Sequence, residues 1–352
     1  MTNSYKVIGL MSGTSLDGVD IAYCEFNFSG KWTFILKKAE TIAYDERWQK
    51  MLGGIHSGTA SEISKLDCDY GVFLGQLVNN FLSRNPVEVD FISSHGHTIY
   101  HQPANGLTRQ IGSGAYLSSV AGLDVVCDFR SQDVALGGQG APLVPVGDML
   151  LFSDADYCLN LGGIANISFD KNGQRKAFDI CACNLILNKY ASLKGFPFDK
   201  DGMFAENGKV NKALLDVLNS IPYYSLPFPK SLGRENVEAD IIPLIDREGI
   251  IPEDILATFC EHIAVQISKI TSTGRSMLIS GGGALNKHLV KKIEEYSKAT
   301  IIIPERNIIE YKEAIIFAFL GVLRIRGEVN CLKSVTGAIS DSSSGAIYKK
   351  NS

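Results

Sequence analysis

The stretches GLMSGTSLDGVD (Gly9–Asp20) and LNLGGIANIS (Leu159–Ser168) decide the fold of this chain. In both, an apolar strand runs into a turn that contains glycine and then resumes as a second strand. A Walker-type phosphate loop would open a helix, so this order predicts a β-hairpin instead. One such hairpin in each half of the chain indicates a duplicated plan.

The duplication extends to a later element in each half. A buried strand at Asp90–Ser93 leads into a polar loop at residues 94–97, and a buried strand at Ser276–Ile279 leads into a glycine-rich loop at residues 280–283. Ligands of α/β sheets bind at the carboxyl ends of strands, where all four loops would lie. The sequence therefore predicts an α/β fold of two similar domains that face one another across a cleft. The alternative is that the four loops are only tight turns.

The segment Gly137–Pro142 (GGQGAP) is dense in chain-bending residues and marks the predicted domain boundary. At 352 residues the chain exceeds the size at which one hydrophobic core usually stops growing. We expect an N-terminal domain at residues 1–139 and a C-terminal domain at residues 140–352. In this scheme the C-terminal helix is free to pack back on the first domain.

The composition is that of a globular protein, with 45% apolar and 20% charged residues and a net charge of −4. Because the chain has no basic block, nucleic acid is not an expected partner. Its longest apolar run, Ala314–Leu323, is too short to span a bilayer, and the N-terminus lacks the pattern of a signal peptide. We expect no membrane association.

Eight cysteines are scattered along the chain without a repeating framework or a Cys-x-x-Cys pair. Such spacing does not predict a structural metal centre. Free, buried thiols in a reducing compartment are the simplest interpretation, so the expected location is the cytoplasm.

The first glycine turn combines backbone N–H groups with the hydroxyls of Ser12, Thr14 and Ser15. Backbone donors in a tight turn form an anion-binding concavity. Asp17 would repel a free phosphate but suits a phosphate that is carried with Mg²⁺. Together with the second turn, at Gly162 and Gly163, this loop could clasp a polyphosphate from both sides.

A third glycine segment, Gly281-Gly282-Gly283, precedes Asn286 at the start of a predicted helix. Glycines there would let a flat base or a ribose approach the backbone closely. The alternative is a tight strand-to-helix turn.

Asp179 is placed by the pattern at the end of a short strand, just before a helix. A carboxylate in that position could act as a catalytic base that takes a proton from a nucleophile. It could also be no more than a helix cap, and the residues alone leave both roles open.

The run His95–His101 holds three of the six histidines. On a helix, His97 and His101 would share one face and could bind a metal, but Gly96 and Thr98 favour a polar loop that contacts a sugar. Further along, Asp128 and Arg130 form either a surface ion pair or an anchor for a substrate carboxylate.

Longer motifs closely resemble those of the anhydro-N-acetylmuramic acid kinase family, in the same order and nearly from end to end. The matching segments are Gly9–Asp20, Ser94–His101, Gln110–Gly112, Val125–Pro145, Leu159–Ser168, Phe178–Asp179, Phe198–Gly202, Pro229–Glu235, Ser280–Asn286 and Ser334–Ala338.

The resemblance implies an actin/hexokinase/acetate-kinase-like architecture with ribonuclease H-like domains, usually as a homodimer. It also implies a reaction in which ATP, with Mg²⁺, and water open the 1,6-anhydro ring of a cell-wall sugar to give N-acetylmuramic acid 6-phosphate, as in peptidoglycan recycling. The small-molecule partners would then be an amino sugar and water.

By the same resemblance, Asp179 matches the catalytic base, and Arg130, His95, Thr98 and Glu313 are expected on the substrate side. Expected nucleotide-binding residues are Gly9, Ser12, Gly13, Thr14, Ser15, Leu16, Asp17, Gly18, Val19, Asp20, Gly162, Gly163, Asn166, Gly281, Gly282, Gly283 and Asn286. No resident metal site is expected in the protein itself.

The sequence departs from the family pattern after the base, where Ile180-Cys181-Ala182-Cys183-Asn184 replaces the usual Thr-Gly-Pro-Gly-Asn. His97 replaces a usual Gln, Leu232 a usual Thr and Leu285 a usual His. These changes bear on rate and substrate preference. The alternative functions are a kinase of the same fold for another sugar or carboxylate, or a nucleotide-gated binding protein with vestigial turnover.

Overall fold

The fold was obtained as a computed structural model that describes residues 3–13, 15–246 and 249–350. Its strands are β1 (Ser4–Met11), β2 (Gly18–Phe28), β3 (Trp32–Ala43), β4 (Phe91–Ser94), β5 (His97–Gln102), β6 (Leu107–Ile111), β7 (Asp124–Cys127), β8 (Tyr157–Leu161), β9 (Ile164–Lys171), β10 (Gln174–Ala182), β11 (Ser276–Ser280), β12 (Thr300–Ile302) and β13 (Ala346–Tyr348).

The α-helices alternate with these strands. They are α1 (Glu46–Gly54), α2 (Ala60–Arg84), α3 (Gly114–Ala121), α4 (Ser131–Ala135), α5 (Val144–Leu151), α6 (Asn184–Ser192), α7 (Met203–Asn207), α8 (Lys212–Asn219), α9 (Arg234–Asn236), α10 (Ile242–Asp246), α11 (Pro252–Ser268), α12 (Lys287–Ser297), α13 (Arg306–Arg326) and α14 (Lys333–Thr336).

The chain divides into two compact units. The first comprises Met1–Leu151 and Tyr311–Ser352, and the second comprises Phe152–Glu310. This division falls later than the boundary that GGQGAP suggested, because that segment is bonded within the first unit. Asp133 Oδ2 accepts from the N–H of Gly140 at 2.7 Å, and Gly138 donates to the Asp133 carbonyl.

The first unit is built on a six-stranded sheet in the order β13-β7-β4-β1-β2-β3. Strands β1, β2 and β3 are antiparallel neighbours, whereas β1–β4 and β4–β7 are parallel pairs. Apolar residues of β1, β2 and β4 pack with α2, whose Tyr70, Leu74 and Phe81 are almost completely buried.

The second unit repeats this arrangement in a five-stranded sheet, β10-β9-β8-β11-β12. Here β8, β9 and β10 are antiparallel neighbours, and β11 lies parallel to both β8 and β12. Matching the strands in chain order gives the order 3-2-1-4-5 in both units. The predicted duplication of an α/β plan is therefore confirmed.

A helix packs very closely on the first sheet at Gly9. A Cβ atom added there would lie 2.2 Å from the carbonyl oxygen of Ala314 in α13, so no larger residue fits. The apolar run Ala314–Leu323 that contains this contact is buried in the first unit. In the described ranges, no helix has both the length and the apolar character needed to cross a membrane.

Candidate active site

The first glycine loop, residues 12–17, is held from beneath by buried side chains. Ser12 Oγ lies 2.6 Å from the hydroxyl of Tyr44 and 3.0 Å from Nδ1 of His97, and the Tyr44 hydroxyl lies 2.5 Å from that of Tyr70. We call these four residues the Ser12 network. Because Ser12 is only 3% exposed, its hydroxyl makes hydrogen bonds inside the protein and does not point to the open side of the loop.

The open side of the loop consists of Gly13, Ser15 and Asp17. Ser15 and Asp17 are exposed, and among the described residues a Cβ on Gly13 would contact Ser15 alone. Leu16 has a φ of 60°, and its N–H points back to the Gly13 carbonyl at 3.4 Å. Thr14 lies outside the described residues. The arrangement keeps backbone groups accessible, as a phosphate loop requires.

Other residues that the resemblance placed in this loop belong to the strands. Gly18 begins β2, where a Cβ would lie 2.3 Å from the Ile42 carbonyl oxygen. Val19 is fully buried, and the Asp20 carboxylate accepts a hydrogen bond of 2.6 Å from Thr41. Like Gly9 of β1, which packs against α13, these residues are part of the hairpin strands and not of the open loop.

Arg130 and His95 form a fixed pair in the first unit. Arg130 donates from Nε (3.1 Å) and Nη2 (2.9 Å) to Nε2 of His95, and from Nη1 to the Gly140 carbonyl (2.7 Å). His95 must therefore carry its proton on Nδ1, which donates to the Gly96 carbonyl at 2.9 Å. Burial and the Arg130 charge lower the pKa of His95 to about 3, so it is neutral at physiological pH.

The predicted alternative of a surface ion pair between Asp128 and Arg130 is wrong. Asp128 instead accepts a hydrogen bond of 2.6 Å from Ser131, and across the described chain it makes no ion pair with Arg130. Among the residues that the structure describes, Arg130 uses only some of its five N–H groups, on His95 and Gly140, so the others stay available to a ligand.

Glu313 of α13 lies within electrostatic reach of both Arg130 and Asp20. Its side chain is open to solvent on one side, yet the surrounding protein desolvates the carboxyl group and raises the pKa of Glu313. The nearby Asp20 charge acts in the same direction, whereas Arg130 lowers that pKa. Asp20, Arg130 and Glu313 thus form a charged cluster in which the other two charges act on Glu313.

The histidine run is neither a helix nor a loop, because β5 begins at His97. In an extended strand, residues four apart are about 13 Å from each other, so His97 and His101 cannot bind one metal ion. Thr98 accepts a hydrogen bond of 3.2 Å from Gln110 of β6. Burial lowers the pKa of His97 to about 4, which keeps it neutral within the Ser12 network.

The second glycine loop consists of Gly162 and Gly163 alone, and backbone groups hold it. The N–H groups of Asn184 and Leu185, at the start of α6, donate to the carbonyls of Gly162 (3.1 Å) and Gly163 (3.1 Å). The side-chain amide of Asn184 (Nδ2) also donates to the Leu161 carbonyl at 2.9 Å. The loop is therefore tied to the helix that follows Asp179.

The three glycines after β11 have different surroundings. Gly281 has a φ of +78°, and a Cβ there would lie 2.6 Å from Asn160 Oδ1, while one on Gly283 would lie 2.7 Å from Leu161 Cβ. A Cβ on Gly282 would have nothing closer than 3.7 Å. Only Gly282 therefore has an open side, and Asn286 caps α12 by accepting from Leu289 N at 2.9 Å.

Asp179 is not a helix cap. It lies inside β10, which continues to Ala182, and the residue before α6 is Cys183, with no side-chain cap. Asp179 Oδ2 accepts from Leu232 N (3.0 Å) and Ser231 Oγ (3.1 Å), whereas Oδ1 makes no hydrogen bond with any residue the structure describes. Burial raises the pKa of Asp179, although these two hydrogen bonds oppose the shift.

The strand register places further polar residues beside this carboxylate. Asn166 is opposite Asp179 in β9–β10 and opposite Asn160 in β8–β9. Directly opposed residues of antiparallel strands point to the same face of the sheet, so the three side chains form a row. The sequence analysis did not identify Asn160 as a site residue. It could have been found from the LNLGGIANIS hairpin, because the strand pairing there places Asn160 opposite Asn166.

The unusual segment after Asp179 fits its strand. Cys181, Ala182 and Cys183 are completely buried, and a β-bulge lies between Asp179 and Cys181. No residue of this segment has a positive φ. The backbone of this segment therefore does not require the glycines that are usual in the family. The two cysteines that stand in their places are buried as small apolar side chains.

A sequence model described as anhydro-N-acetylmuramic acid kinase matches residues 5–350. The chain belongs to the anhydro-N-acetylmuramic acid kinase family. The prediction of this family from the motifs is confirmed, and so is the actin/hexokinase-like fold, which the repeated 3-2-1-4-5 strand order displays in both units.

Curated relatives in this family match nearly the whole chain. Anhydro-N-acetylmuramic acid kinase of Saccharophagus degradans is 32% identical over 97% of this chain and 98% of its own length. The Haemophilus influenzae protein is 34% identical (98% of both chains), and the Shewanella baltica protein is 35% identical (96% of both chains).

Proposed function

We propose that this chain is an ATP-dependent anhydro-N-acetylmuramic acid kinase. It would open the 1,6-anhydro ring with water and phosphorylate O6, giving N-acetylmuramic acid 6-phosphate and ADP. Family membership defines the reaction class. The observation that carries the mechanism is Asp179, whose carboxylate is held through Oδ2 and leaves Oδ1 without a partner among the described residues.

Asp179 would act as the general base. Its Oδ1 takes a proton from the water that attacks the anomeric carbon, while the bond from that carbon to O6 breaks and O6 accepts the γ-phosphoryl group. A base functions best when its pKa approaches the working pH, and burial moves the pKa of Asp179 in that direction. Ser231 and Leu232 keep the carboxylate in one orientation.

The phosphates of ATP would bind to accessible backbone groups. Gly13 and Ser15 supply these in the first glycine loop, and Gly162 and Gly163 do so in the second. The open side of Gly282 suits close approach of the adenosine. Phosphoryl transfer depends mainly on such positioning and on charge stabilisation.

Mg²⁺ fits the residues near the first loop. It is commonly bound by one or two carboxylates together with phosphate oxygens, and Asp17 is exposed while Asp20 shares a charged cluster with Glu313. Asp17 and Asp20 would hold the ion, and the ion would neutralise part of the phosphate charge. A site of this kind needs no cluster of three protein ligands, and the described residues contain none.

The sugar would be anchored by Arg130, whose guanidinium is fixed by His95 and retains free N–H groups for the acid group of a muramic acid. Thr98 and Glu313 complete the proposed substrate side. We further propose a homodimer in the cytoplasm that acts in peptidoglycan recycling. Seven buried cysteines, none in a disulfide, suit a reducing compartment.

The test is ATP consumption with the anhydro sugar, compared with N-acetylmuramic acid and with simple hexoses. We expect turnover with the anhydro sugar and formation of one 6-phosphate per ATP consumed. Turnover on a plain hexose without turnover on the anhydro sugar would overturn the proposed substrate and leave a kinase of the same fold.

A further inference from the structure

The second unit contains a cavity of about 430 Å³ at the edge of its sheet. Tyr157 and Phe169, which line the cavity, are paired at the first residue of β8. The second glycine loop follows the last residue of the same strand. The cavity therefore lies at the opposite end of β8 from Gly162 and is separate from the proposed nucleotide loops.

Aromatic rings form the apolar wall of this cavity. Phe178 and Phe228 are stacked with their ring centroids 5.0 Å apart and an interplanar angle of 3°. Phe169 meets Phe228 edge to face at 6.1 Å and lies 5.5 Å from Tyr157. Phe228 remains 36% exposed, so part of its ring is accessible to an incoming molecule beside the stacked Phe178.

Three lysines, Lys171, Lys230 and Lys269, line the same cavity. Lys171 Nζ lies 5.0 Å from the centroid of Phe228, and Lys269 donates to the amide oxygen of Gln266 at 3.0 Å. Lys230 donates to the Tyr223 carbonyl at 3.1 Å. Within residues 3–13, 15–246 and 249–350, none of the three lysines forms an ion pair with a carboxylate.

The charge balance of the cavity is positive, although the whole chain carries −4. Asp170 is the one acidic residue of its lining and faces Arg175, with 3.4 Å between the charged groups. Desolvation lowers the pKa of Lys230, as expected for an ammonium group that lost water without gaining a counter-ion. An anion in the cavity would provide the missing partner.

We propose that this cavity is a binding site for a small organic anion that carries an aromatic ring. The ring would pack against the exposed part of Phe228, and the anionic group would pair with Lys230 and Lys269. A mostly apolar pocket with a few converging polar groups is the usual form of a small-molecule site. Lysines that cover aromatic surface with their methylene chains and keep the ammonium group in water would give only a weak, salt-screened preference for an anion.

The experiment compares two probes with the same rings in the intact protein. The first is 1-anilinonaphthalene-8-sulfonate, and the second is N-phenyl-1-naphthylamine, which lacks the sulfonate. We expect saturable fluorescence of the anionic probe at one site per chain, retained when a non-hydrolysable ATP analogue saturates the protein. The neutral probe should bind about fivefold or more weakly.

Variants locate the site. Lys269→Met and Lys230→Met should each weaken the anionic probe about fivefold and leave the neutral probe unchanged, whereas Phe228→Ala should weaken both. Lys291→Met, an exposed change on α12 outside the cavity, is the charge-matched control. Thermal unfolding confirms that each variant is folded. The proposal is overturned by equal affinities in Lys269→Met and Lys291→Met, by displacement with the ATP analogue or by the absence of saturation.

Discussion

The two glycine loops occupy matching places in matching sheets, but they are held by different kinds of contact. The first follows β1 and is held by side chains, since Ser12 Oγ joins the hydroxyl of Tyr44 and the ring of His97. The second follows β8 and is held mainly by backbone groups, since N–H groups of α6 donate to the carbonyls of Gly162 and Gly163, with one further bond from the Asn184 side chain to the Leu161 carbonyl. The two sheets thus share a strand order, but their glycine loops are stabilised by different contacts.

The difference predicts which mutations each of the two loops tolerates. A loop held by side chains should respond to the loss of a single hydroxyl, because each buried hydrogen bond there has a named partner. A loop held by backbone groups should respond instead to the addition of a Cβ atom. The following tests go from the largest expected effect to the smallest.

Asp179→Asn, in the second unit, should reduce kcat about 10²–10⁴-fold while changing the affinities for ATP and the sugar only a few-fold. The amide keeps the shape and an acceptor for Leu232 N, but it cannot take the proton. Steady-state kinetics and binding of an ATP analogue measure both quantities. Turnover close to that of the unmodified protein would refute the role of Asp179 as the base.

Stability is the control for this variant. The folded protein raises the pKa of Asp179, so the group's stabilising contribution is complete below the pKa of the unfolded chain and is lost as pH rises through the folded value. At neutral pH the charged group therefore costs stability, and Asp179→Asn should unfold at the same temperature as the unmodified protein or higher.

Gly281→Ala and Gly282→Ala should separate packing from ligand approach in the second unit. At Gly281 a Cβ meets Asn160 and Leu161 and the φ is +78°, so we expect a loss of about 2–4 kcal/mol in unfolding free energy. At Gly282 the added methyl group has space, and stability should change by less than about 0.5 kcal/mol while KM for ATP rises severalfold. Equal effects on stability at both glycines would contradict the assignment of the open side to Gly282.

Tyr44→Phe tests the side-chain support of the first loop. It removes the hydroxyl between Ser12 and Tyr70 and should lower the unfolding free energy by about 1–2 kcal/mol and raise KM for ATP, with little change in kcat. Tyr190→Phe is the matched control, because Tyr190 is equally buried and its hydroxyl donates to Asp246 at 2.7 Å in the second unit. The control should lose similar stability and keep its KM. A rise in KM in both variants would show that the Ser12 network has no specific role.

Ser231→Ala should have the smallest effect and gives the pH dependence. The Ser231 hydroxyl lowers the pKa of Asp179, so its removal should raise that pKa further. Activity requires the deprotonated base and falls as pH falls through its pKa, so the acidic limb of the kcat profile should move to higher pH. An unchanged limb would indicate that another group controls the profile.

The sequence alone was sufficient for the family, the duplicated α/β plan and the presence of a helix after Asp179, which the structure shows as α6. Local rules made this possible, because apolar strands ending in glycine turns leave few alternatives. The histidine run was harder to predict, because β5 is short, pairs only with β6 and carries the helix-like spacing of His97 and His101.

The roles of individual site residues depended on tertiary structure. Nothing local distinguishes Ser12, whose hydroxyl points inward, from Ser15, which is exposed. Likewise, neighbours distant along the chain decide that Gly281 is packed against β8 whereas Gly282 is open, and that Ser231 and Leu232 hold Asp179. The sequence by itself identified the glycine loops that we propose to bind phosphate and, through the family resemblance, the carboxylate that we propose as the base. Only the fold decided which atoms of those residues remain available, because burial and hydrogen bonding are set by contacts between segments far apart in the chain.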